Sequence, residues 1–155
     1  MNTAKPLPYE GIRVVEFTHM VMGPTCGMVL ADLGAEVIKV EPIGHGHEGD
    51  NTRKLLGSGA GFYPLFNRNK KSLALDLKTP EGKEAVLRLI ATADIVSENF
   101  KPGTMKKLGL DYGTLSQRLP SLVYCHVKGY GDHGLLGGLP TYDDIGQAAS
   151  GLAHL

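Results

Sequence analysis

Short apolar runs alternate with stretches of helical spacing along the 155 residues. Residues 11–17 (GIRVVEF) are a β-branched and aromatic run, which predicts a buried strand. In residues 24–33, Met28, Val29, Ala31 and Leu33 give a helical face, with Pro24 in the first turn and Gly34 as the C-terminal stop. Residues 35–40 (AEVIKV) read as a second buried strand, closed by Glu41-Pro42. Strand, helix and strand within about thirty residues predict a βαβ unit with a parallel pair and a right-handed crossover.

Residues 43–61 are rich in Gly, His and Asp, lack a period and read as a loop. Residues 71–77 (KSLALDL) look like a third strand. Thr79-Pro80-Glu81 then opens a helix with a hydroxyl N-cap, proline at N1 and an acid in the first turn. Ala85, Leu87, Leu89, Ile90 and Ala93 supply its apolar face. Residues 94–98 (DIVSE) predict a fourth strand, residues 102–108 and 112–119 two short helices, and residues 122–127 (LVYCHV) a last strand. A Gly-rich loop spans 129–140, and a final helix starts near Asp143 or Asp144.

This alternation predicts an α/β fold with a Rossmann-like, doubly wound, mostly parallel sheet. Such sheets bind ligands at the carboxyl ends of their strands, which directs the search to residues 18–22, 42–49, 99–103 and 128–142. The length suits one domain with a proper core.

Composition narrows the classes of function. An apolar fraction of 42% and a charged fraction of 21% are those of a soluble globular protein. Lys+Arg and Asp+Glu balance at 16 each, so overall charge predicts attraction to neither nucleic acid nor membrane. No run reaches the ~18 apolar residues of a bilayer span, and the start lacks the apolar stretch of a secretory signal. Cys26 and Cys125 lie far apart, in no CxxC pairing. We therefore expect a cytoplasmic protein.

A βαβ unit whose second strand ends in Glu41 invites a dinucleotide reading. The first loop argues against it: THMVMGPTCG contains Gly23 and Gly27 but no GxGxxG, and no GxxxxGK[ST] loop occurs elsewhere.

Several linked segments carry a more specific resemblance. They are Phe17-Thr18-His19 with Gly23-Pro24; residues 31–41 (ADLGAEVIKVE); residues 67–72 (NRNKKS); Leu75-Asp76-Leu77-Lys78 with Pro80-Glu81-Gly82; residues 98–103 (ENFKPG); and Gly129-Tyr130-Gly131 followed by Tyr142-Asp143. In order and spacing they resemble the N-terminal half of the large domain of family III CoA-transferases, a family that includes formyl-CoA transferase, carnitine CoA-transferases and α-methylacyl-CoA racemase. On this resemblance residues 1–155 are the N-terminal part of that large domain, and the family's second, smaller domain is not in this chain.

The resemblance implies a site for coenzyme A, supplied as acyl-CoA substrate, with no tightly bound cofactor. Such a site wants cations and N–H donors for phosphates and an apolar wall for adenine. It falls on Val21 and Met22 in the first loop, on Leu75, Asp76, Leu77 and Lys78, on the Asn99, Phe100 and Lys101 turn, and on Lys107, Tyr142 and Asp143. Lys107 stands for a family arginine, keeping the charge but not the bidentate fork. Pro42 and Pro140 stand where formyl-CoA transferase has basic residues, so those contacts are lost or moved, with Arg53 and Lys39 as candidates.

The family's chemistry is nucleophilic: an aspartate carboxylate attacks the acyl-CoA thioester and forms a mixed anhydride. The released thiolate then gives an aspartyl-CoA thioester, from which CoA passes to an acceptor carboxylic acid. The resemblance places that aspartate beyond Leu155, so no catalytic residue is assigned here and the chain by itself is expected to be inactive. Asp143 and Asp144 align with a helix start rather than with the nucleophile. An interlocked homodimer is expected of the full-length form. A racemase reading is disfavoured because racemases carry a histidine where this chain has Tyr142, and a tyrosine of pKa ~10 is a poor base at neutral pH. A non-catalytic CoA-binding role is the other alternative.

Plainer readings stand beside these. Lys70-Lys71 is either a solvated turn or a phosphate-side patch. His19 is read as ordering its loop. His45 and His47 lack a third ligand and are read as solvent-facing, so no metal is expected. Cys125 is assigned to the core and Cys26 to packing in the first helix. Phe100 and Tyr142 are either packed aromatics or ligand contacts.

Overall fold

The computed structural model describes residues 5–44, 46, 48–131 and 133–154. His45 and His47, the pair considered for a metal, lie outside the described residues. Five strands, β1 (Arg13–Phe17), β2 (Glu36–Pro42), β3 (Lys71–Leu75), β4 (Ile95–Glu98) and β5 (Val123–His126), form one sheet in the order β3-β2-β1-β4-β5. Every pairing is parallel, from Arg13 opposite Glu36 to Glu98 opposite His126. The order reverses between β1 and β4, which makes the carboxyl ends of these two strands the topological switch point.

The helices are α1 (Met22–Asp32), α2 (Phe62–Phe66), α3 (Pro80–Ile90), α4 (Thr104–Leu108), α5 (Tyr112–Leu115) and α6 (Asp143–Ser150). The two faces of the sheet differ in chemistry. Val15, Phe17, Val40 and Val96 point one way and join Val86 and Ile90 of α3, Met105 of α4 and Leu115 of α5 in the main apolar core. On the other face Val14 and Val37 meet Ala31 and Ala35 in a small apolar cluster, and the next positions along the strands are Glu16 and Lys39. The strand period of two sets this division, since residues two apart share a face.

Helix α1 lies over the polar face. Besides Pro24, its buried positions Gly23, Gly27 and Ala31 recur every four residues and let the backbone come close to the sheet. A Cβ at Gly27 would sit 1.9 Å from Glu16 Oε2. The helix begins at Met22, two residues before Pro24, which the first turn tolerates because its N–H groups have no intrahelical acceptor.

Helix α3 starts as its sequence predicts, with Thr79 Oγ1 accepting the Gly82 amide at 3.1 Å, Pro80 at the start and Glu81 in the first turn. Its fully buried line is Gly82, Val86 and Ile90, with Leu87 and Leu89 flanking, so Val86 belongs with the predicted apolar face. Strand β3 stops at Leu75, short of Leu77, because Asp76 turns the chain: its carboxylate accepts the Lys78 amide at 2.9 Å and its carbonyl the Thr79 amide at 3.2 Å. Residues 43–61 are not wholly irregular. Short 3-10 turns occupy Asn51–Lys54 and Gly57–Gly61, and α2 follows them. Among the described residues no helix is long and apolar enough to cross a membrane.

Candidate functional site

The loops at the switch point are tied to each other. Asn99 Oδ1 accepts the His19 amide at 2.9 Å, and Asn99 Nδ2 donates to the His19 carbonyl at 2.9 Å. The His19 Nδ1 lies 3.0 Å from the same Oδ1, and the ring meets Phe100 edge-on with centroids 5.6 Å apart. These contacts give His19 the loop-ordering role. Met20, just after it, holds a left-handed φ of 64°, which an unbranched L-residue adopts only at a cost. Val21 and Met22 follow as exposed apolar side chains at the start of α1.

Beside this junction a cavity of about 480 Å³ opens along the carboxyl ends of β1, β2, β3 and β4. Phe17, Val40, Leu75, Leu77, Phe100 and Leu108 give it an apolar lining; among the described residues Lys78 is the one lysine or arginine on it, and Glu41, Asp50 and Asp76 line it too. Leu75, Asp76, Leu77, Lys78 and Phe100 of the expected CoA contacts therefore come together here. Phe100 is half-buried, packed on the main core and on the cavity at once. Pro42 also lines the cavity and brings no charge.

The other expected residues fall elsewhere. Lys101 borders a second groove of about 460 Å³ between the ends of β4 and β5 and helices α4 and α5, together with His126 and Tyr124. Lys107 is exposed on α4 and lines neither space. Tyr142 is 68% exposed, and Asp143, at the start of α6, accepts a hydrogen bond from Gln147 at 2.7 Å. Cys26 and Cys125 are both half-buried free thiols, so Cys125 sits at the margin of the core on the edge strand rather than inside it.

Three lysine and arginine assignments change. Lys70 is neither a solvated turn nor a phosphate patch: its side chain is 2% exposed, and its Nζ donates to Glu16 Oε1 at 2.8 Å and to the Pro24 carbonyl at 2.7 Å. Lys71, by contrast, is exposed and pairs with Glu36. Lys39 is not available to replace the cation missing at Pro42. It is buried, donates to the Thr18 carbonyl at 2.5 Å, and forms an ion pair with Asp50 at 3.0 Å whose angles are not those of a hydrogen bond. Arg53 is engaged as well, its guanidinium gripping Glu41 at 2.8 and 2.7 Å.

Glu16 and Lys70 lie beneath α1 and connect through Lys39 to Asp50, which with Glu41 lines the cavity. Burial pushes the Glu16 carboxyl up, against the pull of Lys70 and Lys39, and pushes the Lys70 ammonium down. Among the described residues Glu16 Oε2 has no hydrogen-bond partner, and it faces the Gly27 backbone. Burial would also raise Glu41, but four donors outweigh it: Arg53, Ser72, the Asp50 amide and Tyr63 hold its carboxyl at about 2. On β4, burial raises Glu98, whose carboxylate accepts the Phe100 amide at 2.9 Å and faces His126 Nδ1 at 3.3 Å. Glu98 thereby fixes the turn that carries Phe100 into the cavity.

Comparison with known proteins places this geometry. The family model described as CoA-transferase family III matches residues 9–155. A human succinyl-CoA:glutarate CoA-transferase is 40% identical over all of this chain and 35% of its own length. An acetyl-CoA:oxalate CoA-transferase of Acetobacter aceti is 39% identical over 96% of this chain and 39% of its own. A crystal structure of a Mycobacterium tuberculosis protein superposes with a TM-score of 0.85 at 44% identity, covering 94% of this chain and 40% of that one. The chain thus spans well under half the length of these relatives.

Proposed function

The chain belongs to CoA-transferase family III, and from that premise we propose that it forms the nucleotide end of a site that moves CoA from an acyl-CoA to a carboxylic acid. The observation that carries this reading is the cavity at the switch point, where an apolar wall and one lysine stand side by side. Adenine is satisfied by an apolar or aromatic surface such as Leu75, Leu77 and Phe100, and a phosphate by the Lys78 ammonium at the rim. The names of the relatives share one chemistry, a CoA thioester as donor and a carboxylate as acceptor.

In this reading the chain's own residues bind and orient. The nucleotide seats along β2 and β3, and the pantetheine arm leads the thioester along the β1–α1 loop past Val21 and Met22. A carboxylate suits the nucleophile because its acyl adduct with the substrate stays activated as an anhydride, and CoA returns through a thioester. Lys101, Lys107, Tyr142 and Asp143 lie outside the cavity, and they join the site only if the segments that carry them move against bound CoA.

Calorimetric titration with CoA tests the proposal. CoA is expected to bind, NAD to give no heat, and Lys78→Ala to weaken CoA binding about tenfold, the loss of one charge-assisted phosphate contact. Absence of CoA binding to the unaltered chain would overturn the reading.

A further inference from the structure

Residues 42–44 and 49–51 form one wall of the cavity, and contacts converging on Glu41 hold it in place. The chain leaves β2 at Pro42 and returns at Gly49, whose amide donates to the Pro42 carbonyl at 2.8 Å. Pro42, Ile43, Gly44, Gly49 and Asp50 face the cavity. Glu41 lines the cavity beside them: its Oε2 accepts the Asp50 amide at 2.8 Å and Arg53 Nε at 2.8 Å, while Oε1 accepts Arg53 Nη2 at 2.7 Å and the Tyr63 hydroxyl at 2.9 Å. The guanidinium lies 3.8 Å above the centroid of the Tyr63 ring. Arg53 touches none of the cavity, yet it closes the strap against the strand that the strap came from.

We propose that Arg53 is a positioning residue for the nucleotide cavity, acting through Glu41 to hold residues 42–44 and 49–51 as its wall; this rests on the CoA-binding reading above. The physical reason lies in the strap itself. Gly44, Gly46 and Gly49 all have positive φ, at 82°, 79° and 77°, so the segment has little conformational stiffness of its own. A ligand that binds a loose wall must order it, and that cost comes out of the affinity. The bidentate fork fixes both distance and plane, which a lysine cannot do. Gly49 shows how close the latch sits, since a Cβ there would lie 2.9 Å from Arg53 Cδ.

The test combines amide hydrogen exchange with CoA calorimetry on the unaltered chain, Arg53→Ala and Arg53→Lys. In Arg53→Ala, exchange at Gly49 and Asp50 is expected to quicken about tenfold or more and CoA affinity to fall about tenfold, with the amides of β1 and β4 unchanged. Arg53→Lys is expected to recover only part of either. Millimolar guanidinium added to Arg53→Ala, far below denaturing concentration, is expected to restore slow exchange and affinity together, whereas a general loss of stability would not be reversed by it. Unchanged exchange at Gly49 and Asp50, or quicker exchange with unchanged CoA affinity, would overturn the positioning role alone. Failure of the unaltered chain to bind CoA would overturn the functional reading, and the positioning role with it, while any exchange difference would then report a latch of structure only.

Discussion

Replacing Glu41 with glutamine keeps the shape of the side chain and removes the charge on which five hydrogen bonds converge. Those donors are the Asp50 amide and Arg53 Nε at Oε2, and Arg53 Nη2, Tyr63 and Ser72 at Oε1. A glutamine can serve the first pair with its oxygen and offer its NH2 to the two hydroxyls, which turn to accept it. Arg53 Nη2 then faces another donor. The size of the loss follows from titration. The Glu41 carboxyl sits at about 2, against an ordinary 4.5. At about 1.4 kcal/mol for each pH unit, that gap is worth about 3 kcal/mol of folding stability. Glu41 is almost wholly buried, so solvent screening does not reduce this much.

The sign is that of a depressed carboxyl. The unfolded chain binds the proton first, so the contribution is complete above pH 4.5 and is lost as pH falls from 4.5 through about 2. Burial moves Glu16 and Glu98 the other way, so they add a contribution that fades as pH rises, and the unaltered chain's curve mixes both kinds. The difference between variant and unaltered chain isolates Glu41. Urea unfolding from pH 7 to pH 2.5 is expected to show Glu41→Gln about 3 kcal/mol less stable at pH 7, with the two curves converging in acid. Parallel curves across that range would refute the reasoning.

Two further predictions concern packing. Gly→Ala inside a helix ordinarily gains about 1 kcal/mol. At Gly27 the added methyl would meet Glu16 Oε2 at 1.9 Å and Lys70 Nζ at 3.1 Å, so Gly27→Ala is expected to cost about 2 kcal/mol in chemical denaturation. On the opposite face, Ile90→Ala empties a fully buried position among Val15, Val86 and Val96 and is expected to cost about 3 kcal/mol by the same measurement, with the CoA affinity unchanged.

The fold was legible because its signals are local and repeated. Residues 13–17 and 36–42 are β-branched runs, Thr79-Pro80-Glu81 is a helix start with a side-chain mechanism, and the alternation of strand and helix leaves few topologies. The cavity was legible in part. Leu75 to Lys78 and Phe100 follow directly from strand ends, whose position the parallel sheet dictates. The charged layer was not legible, because it depends on which distant lysine meets which acid. Lys70 reaches Glu16 across 54 residues of sequence, and Arg53 reaches Glu41 from a loop without periodicity. One signal was present: Val37, Lys39 and Glu41 alternate along a single buried strand, and charges at buried positions require partners. It foretells partnered charges and thus argues against free phosphate ligands at Lys39 or Arg53.

Mapping bound CoA by backbone amide chemical shifts tests the central claim most directly. The account predicts perturbations concentrated at residues 75–78, at Phe100 and at residues 42–44 and 49–51, all lining one cavity. Perturbations centred instead on the groove beside Tyr124 and His126, or none at all, would contradict it.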